Sequence, residues 1–123
     1  MSDIYIAGFF DTRARLLPYR DRLKKAGHCI LSTWLEEENV TYQGTSEAYH
    51  KACAERDLHQ VEHADLFILD TLDETPRGGR EVELGLALAR RIPVYLVGPV
   101  RNVFHQLVQR KFDDWPSCLA ALE

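Results

Sequence analysis

The sequence has no apolar run near the roughly 20 residues needed to span a bilayer, so no membrane partner is expected. It has no basic excess either: 15 Lys and Arg stand against 19 Asp and Glu, for a formal charge of -4. A protein that grips a nucleic-acid backbone shows a basic face or a high pI. No nucleic-acid partner is therefore expected, although a small phosphate needs only a few local donors. Cysteine is scarce. Cys29, Cys53 and Cys118 are odd in number, widely spaced and without a CxxC pair; they read as reduced thiols, not as a disulfide frame or a zinc site. The five histidines show no metal-binding spacing, and His59 and His63 sit four apart without the HExxH signature. GxGxxG, Walker and nucleophile-elbow motifs are all missing, so the expected cofactor complement is none. Repeats, low-complexity tracts, linkers and a leader-like segment are also missing. The expectation is one domain over residues 1–123, in the cytoplasm.

What is present is a strand–helix alternation. Ile4 to Phe10 is β-branched and aromatic and reads as a buried first strand turning at Gly8. Asp11 or Thr12 can cap a helix that carries Leu16, Leu17, Leu23 and Ala26, with Pro18 a kink or break and Gly27 its C-cap. His28 to Trp34 predicts a second strand, and the polar stretch from Glu36 to Gly44 a loop. Thr45 to His63 predicts a long helix on which Tyr49, Cys53, Asp57 and Val61 share one face. Ala64 to Asp70 predicts a third strand, Val82 to Arg91 a helix, Pro93 to Gly98 a fourth strand. Arg101 to His105 begins a loop or short helix, Phe112 suits a fifth strand, and Trp115 to Leu122 a closing helix. Such alternation implies βαβ units, hence an α/β three-layer sandwich of Rossmann-like or flavodoxin-like type with a parallel sheet of about five strands. Ligands bind such sheets at the carboxyl ends of the strands. Gly8, Thr33–Trp34, Asp70 to Arg80 and Gly98 to Asn102 all fall there.

The densest chemistry lies in Arg77-Gly78-Gly79-Arg80-Glu81-Val82-Glu83. Gly78 and Gly79 let backbone approach a ligand and turn amides toward an anion; alternatively they are a plain turn. Arg77 and Arg80 offer guanidinium forks for phosphate or carboxylate, or are simply solvated. Glu83, read as part of a helix's first turn, is expected to stay ionised beside the positive helix terminus and so to act as a nucleophile or a stabiliser of a cation. Asp57, on a partly apolar stripe, needs either a partner or a function. Facing Glu83, it would push the two acidities apart; paired with Arg56 or Arg80, it would be structural. Phe9, Phe10 and Trp34 suit either a base platform or the core.

Taken together, Ile4 to Phe10, Glu55-Arg56-Asp57-Leu58 ahead of Ala64-Asp65, and Gly79-Arg80-Glu81-Val82-Glu83-Leu84-Gly85 resemble the nucleoside 2-deoxyribosyltransferase family, including the related 2'-deoxynucleoside 5'-monophosphate N-glycosidases. The resemblance implies an enzyme that cleaves the N-glycosidic bond of a nucleoside or nucleotide and hands the sugar to another base or to water. It implies Glu83 as nucleophile, Asp57 assisting at the base or sugar, and Tyr5 bonded to the glutamate. It further implies a homo-oligomer whose neighbouring subunit completes each site, with Asn102 or His105 in the corresponding segment. Six residues before the nucleophile the transferases tend to carry an aspartate and the monophosphate hydrolases a serine; here the residue is Arg77. The expected substrate-binding set is Gly8, Phe9, Trp34, Arg77, Gly78, Gly79, Arg80, Asn102 and His105. A nucleotide-binding module without catalysis is the competing expectation.

Overall fold

The computed structural model describes residues 1–37 and 46–123. Strands β1 (Asp3–Ala7), β2 (Cys29–Ile30), β3 (Leu66–Asp70), β4 (Val94–Val97) and β5 (Arg110–Phe112) form one sheet in the order β2-β1-β3-β4-β5. Every pairing is parallel, with Ile4 opposite Leu66 and Ile6 opposite Ile68 in the central pair. The helices are α1 (Leu17–Lys25), α2 (Glu47–Glu62), α3 (Gly79–Ala89) and α4 (Trp115–Leu122). Helix α1 packs against α4, and α2 against α3, as right-handed crossovers on two faces of a parallel sheet require. This is the expected α/β sandwich, and its order places a topological switch point between β1 and β3. β3 is buried at every position, which explains its unbroken apolar spelling.

Three elements differ from expectation, each for a local reason. The second strand is two residues long. Beyond it the Ile6 amide is met by the Ser32 hydroxyl at 3.0 Å, and the Ile6 carbonyl by the Trp34 indole N–H at 2.7 Å. Side chains thus take over the edge of β1, and Thr33–Glu36 turns into a 3-10 segment. The first helix is split: Phe10–Arg15 is 3-10, and Pro18 sits in the opening turn of α1, where its missing N–H costs nothing. Helix α3 starts at Gly79, three residues before the expected Val82, with Gly78 as its N-cap. Helix α2 is capped by Ser46, whose hydroxyl accepts from the Tyr49 amide at 3.1 Å. The expected loop falls mostly on residues 38–45, and the expected helix start at Thr45; both lie outside the described residues. Among the described residues, no helix is long and apolar enough to cross a membrane.

Beneath the carboxyl ends of the strands lies a buried node. The Asp70 carboxylate accepts from Arg15 at 2.9 and 3.0 Å, from the Trp115 indole at 2.7 Å and from the Leu72 amide at 3.0 Å. Arg15 also reaches Asp73 at 2.6 Å. The Arg80 Nη1 donates to the carbonyls of Asp70 and Asp73 at 3.2 and 2.7 Å. These bonds fix the path from β3 to α3.

Candidate active site

A cleft of about 450 Å³ opens beside the switch point, between the end of β1, helix α2 and the start of α3. Gly8, Phe10 and Trp34 line it from one side, His50, Cys53, Ala54, Asp57 and Leu58 from α2, and Gly79, Arg80, Val82 and Glu83 from α3. Its walls are mostly apolar, and two carboxylates reach into it. This suits a ligand with a flat hydrophobic part and one chemically reacting bond.

Glu83 is held from below. Tyr5 is fully buried in β1, stacked on Phe67 with ring centroids 5.7 Å apart. Its hydroxyl donates a very short hydrogen bond to Glu83 Oε2. Burial, joined by the negative charge of Glu83, pushes the Tyr5 hydroxyl far above the ordinary phenol range, so it remains a donor. Burial also pushes the Glu83 carboxyl from its ordinary 4.5 up to about 8, with the Tyr5 bond opposing the rise and Asp57 adding to it. This corrects the expectation of a glutamate kept ionised by its helix terminus. Because α3 begins at Gly79, Glu83 is its fifth residue and only Glu81 lies in the first turn; the dipole acts most strongly there. Desolvation therefore outweighs it.

Asp57 has a partner. Arg56 Nε and Nη2 both donate to Asp57 Oδ1, at 3.0 and 2.8 Å. Burial pushes the Asp57 carboxyl above the ordinary range, and the Arg56 bonds pull against it. Asp57 thus forms the expected ion pair with Arg56 and also lines the cleft.

The remaining expected residues divide into three groups. Gly8, Trp34, Gly79 and Arg80 line the cleft. Phe9 and Arg77 line a neighbouring hollow of about 110 Å³, shared with Gly8, Phe10, Thr75, Gly79 and Arg80. Gly78 caps α3 beside it with open space where a Cβ would stand. Asn102 and His105 line neither space. Asn102 Oδ1 caps the 3-10 turn Val103–Leu107 through the amides of Phe104 and His105. His105 is fully buried and bonds Glu81 Oε1 at 2.9 Å, while its Nδ1 accepts from the Arg101 amide at 3.1 Å. Trp34 is 5 % exposed, with its indole bonded to Ile6, so it walls the cleft more than it offers a free face. Phe10 is the more open ring, with the Arg13 guanidinium 4.3 Å from its centroid. Sequence reasoning did not assign His50, Cys53, Ala54, Leu58 or Val82 to a site. The spacing could have found some of them, since His50 and Cys53 lie seven and four residues before Asp57 on one helix face. Among the described residues, no group of His, Cys, Asp or Glu could hold a metal ion.

Over residues 4–114 the sequence matches the family model described as nucleoside 2-deoxyribosyltransferase. The chain belongs to the nucleoside 2-deoxyribosyltransferase family. As a member it is an enzyme of the N-glycosidic bond, carrying out deoxyribosyl transfer or N-glycoside cleavage. The fold is shared with solved relatives. A 2-deoxyribosyltransferase from the psychrotolerant bacterium Bacillus psychrosaccharolyticus superposes with a TM-score of 0.78 at 22% identity, over 98% of this chain and 95% of that one. A conserved protein from Enterococcus faecalis V583 gives 0.73 at 16% identity, over 99% and 97%. The CMP N-glycosidase BcmB of Clostridium botulinum gives 0.65 at 15% identity, over 98% and 97%. No curated protein matches the sequence.

Proposed function

We propose that this deoxyribosyltransferase-family enzyme cleaves the N-glycosidic bond of a deoxynucleoside or its 5'-monophosphate through a covalent glycosyl-enzyme on Glu83. The observation that carries the reading is the Tyr5 hydroxyl seated on the Glu83 carboxylate, in a cleft that Asp57 shares. A Glu83 oxygen attacks the anomeric carbon as the carbon–nitrogen bond breaks. The bonding pair leaves with the base nitrogen, and Asp57, whose carboxyl burial favours the protonated form, supplies or positions the proton. A second base or water then opens the sugar ester from the vacated face, so configuration is retained over the two steps. Tyr5 steadies the carboxylate before attack and as leaving group after it. Phe10, Trp34, Leu58 and Val82 offer the apolar walls a base needs.

The hollow beside the cleft supports a 5'-phosphate. The first amides of α3 lack partners within the helix. The Arg77 side chain is 56% exposed, and it lies 3.8 Å from the Asp11 carboxylate. The buried Arg80 Nε has no hydrogen-bond acceptor among the described residues. Val103, Phe104 and Leu107 stand 75%, 60% and 60% exposed on one turn, which the His105–Glu81 bond presses against the opening of α3. We assign a second copy of the chain to this apolar rim.

The test is a panel of ribo- and deoxynucleosides and their 5'-monophosphates, with and without an acceptor base, resolved by chromatography. Free base or exchanged nucleoside should appear with the native enzyme and vanish in Glu83→Ala. Activity retained in Glu83→Ala would sink the reading. Because kcat/KM reports the free enzyme, it should climb with pH through about 8, where Glu83 ionises. Light scattering should show an oligomer that Phe104→Asp dissociates.

A further inference from the structure

Arg56 stands beside the cleft carboxylates, behind the wall that they line. Arg56 is half-buried and does not line the cleft. Its Nε and Nη2 converge on one oxygen, Asp57 Oδ1. The same Nη2 makes a very close ion pair with Glu37 Oε1. Glu37 is anchored in turn: the Tyr49 hydroxyl donates to its Oε2 at 3.2 Å, and the Arg13 Nε donates to its backbone carbonyl at 2.8 Å. Glu37, Arg56 and Asp57 thus form a line from the last described residue before 38–45 to the cleft wall. A carboxylate gripped through one oxygen cannot rotate freely, so Asp57 presents its other oxygen, Oδ2, in a set direction.

We infer that Arg56 is a positioning residue of this enzyme: it holds Asp57 by a single oxygen, serves as the shared counter-charge of the cleft carboxylates, and is itself steered by Glu37. The inference rests on the assignment of Asp57 and Glu83 to the reaction. The groups that Arg56 contacts or acts on are Asp57 on α2, Glu37 after the second 3-10 segment, Glu83 on α3 and Tyr5 on β1, while Tyr49 reaches it through Glu37. Arg56 favours the ionised form of both Asp57 and Glu83, while Glu37 opposes ionisation of Asp57. Removing the cation and removing its competitor must therefore have opposite signs, which a merely structural contact would not produce. Lysine would keep the charge but lose the two-pronged grip.

The experiment is a carboxyl-carbon NMR titration of full-length protein labelled at Asp and Glu, without substrate, for native enzyme, Arg56→Met, Arg56→Lys and Glu37→Gln. Asp57→Asn and Glu83→Gln assign the two signals. The Asp57 and Glu83 midpoints should move up in Arg56→Met, the Asp57 midpoint should move down in Glu37→Gln, and both should stay near native in Arg56→Lys. With the substrate found in the panel, Arg56→Lys should lose kcat on the order of tenfold to a hundredfold with KM little changed. Unmoved midpoints in folded Arg56→Met, or an Asp57 midpoint that rises in Glu37→Gln, would overturn the inference. If Arg56→Met fails to fold, the Glu37→Gln shift and the kcat of Arg56→Lys decide it. A native enzyme without turnover would defeat the glycosyl-enzyme reading and leave the titration result standing, so the two failures are told apart.

Discussion

Replacing Glu83 by glutamine should stabilise the protein, and by an amount that grows with pH. In the folded chain the carboxyl ionises at about 8 instead of the ordinary 4.5; in the unfolded chain nothing holds it away from 4.5. Folding is therefore most favoured while the group is protonated in both states, below about 4.5. The favour is lost as pH rises toward 8 and levels off above it. At about 1.4 kcal/mol for each tenfold in the ionisation constant, the native glutamate costs about 1 kcal/mol at pH 5, about 3 at pH 7 and nearly 5 at pH 9. Glutamine does not titrate, and its carbonyl can still accept the Tyr5 hydroxyl, so the packing around Phe67 and β1 is kept. Urea unfolding of the native enzyme and Glu83→Gln, at equal protein concentration and at pH 5, 7 and 9, measures the gap directly. The variant should be the more stable by a margin that widens by about 4 kcal/mol across this range. A gap that does not change with pH, or one that narrows, would mean that Glu83 ionises at its ordinary value in the fold. Burial would then not be the controlling cost. A stabilised, inactive Glu83→Gln would also show that the carboxylate is kept at the expense of the fold.

Two further perturbations probe the scaffold under the site. Asp70→Asn weakens the charge that Arg15 and Trp115 share in a node where the Asp70 side chain is 1% exposed; it should cost about 3 kcal/mol in urea unfolding, and a loss below about 1 would show that the node is incidental. Gly98 has φ +121°, and a Cβ there would stand 2.7 Å from Thr71 Oγ1 and 2.8 Å from the Leu72 amide nitrogen. Gly98→Ala should therefore cost about 2 kcal/mol or more, read as a fall in thermal midpoint, whereas Gly85→Ala, with open space at its Cβ, should stabilise α3 slightly.

How far the sequence reveals this molecule depends on whether the deciding contact is local. β3 and α4 follow from their own residues, since a strand buried at every position must be apolar throughout. α4 begins at Trp115 under an Asp114 cap whose carboxylate accepts the Ser117 amide. Tyr5, Asp57 and Glu83 were singled out by the family resemblance; Asp57 and Glu83 line the cleft, and Tyr5 bonds Glu83 from beneath it. The truncated second strand was not legible, because Ser32 and Trp34 are ordinary strand residues until they meet the backbone of Ile6 from 26 and 28 positions away. The acidity of Glu83 was misjudged for a related reason: helix position can be read along the chain, but desolvation comes from β1 and α2. Asn102 or His105 was expected, from the family resemblance, to reach a neighbouring subunit's site; within the chain their bonds run to their own turn and to Glu81. Arg56 was legible as a structural partner of Asp57, but its second pairing was not, because Glu37 lies 19 positions earlier.

The Asp70 node has a consequence for the order in which the enzyme can be made. Its shell draws on Arg15 and Trp115, which lie 55 positions before and 45 positions after Asp70. A ribosome releases the chain from its N-terminus, so Tyr5, Asp57 and Glu83 are all outside well before Trp115. Those three residues are thus synthesised before the floor that positions the path from β3 to α3 is complete, since that floor waits for Trp115. A chain halted before Trp115 would therefore carry Tyr5, Asp57 and Glu83 without the finished floor beneath them.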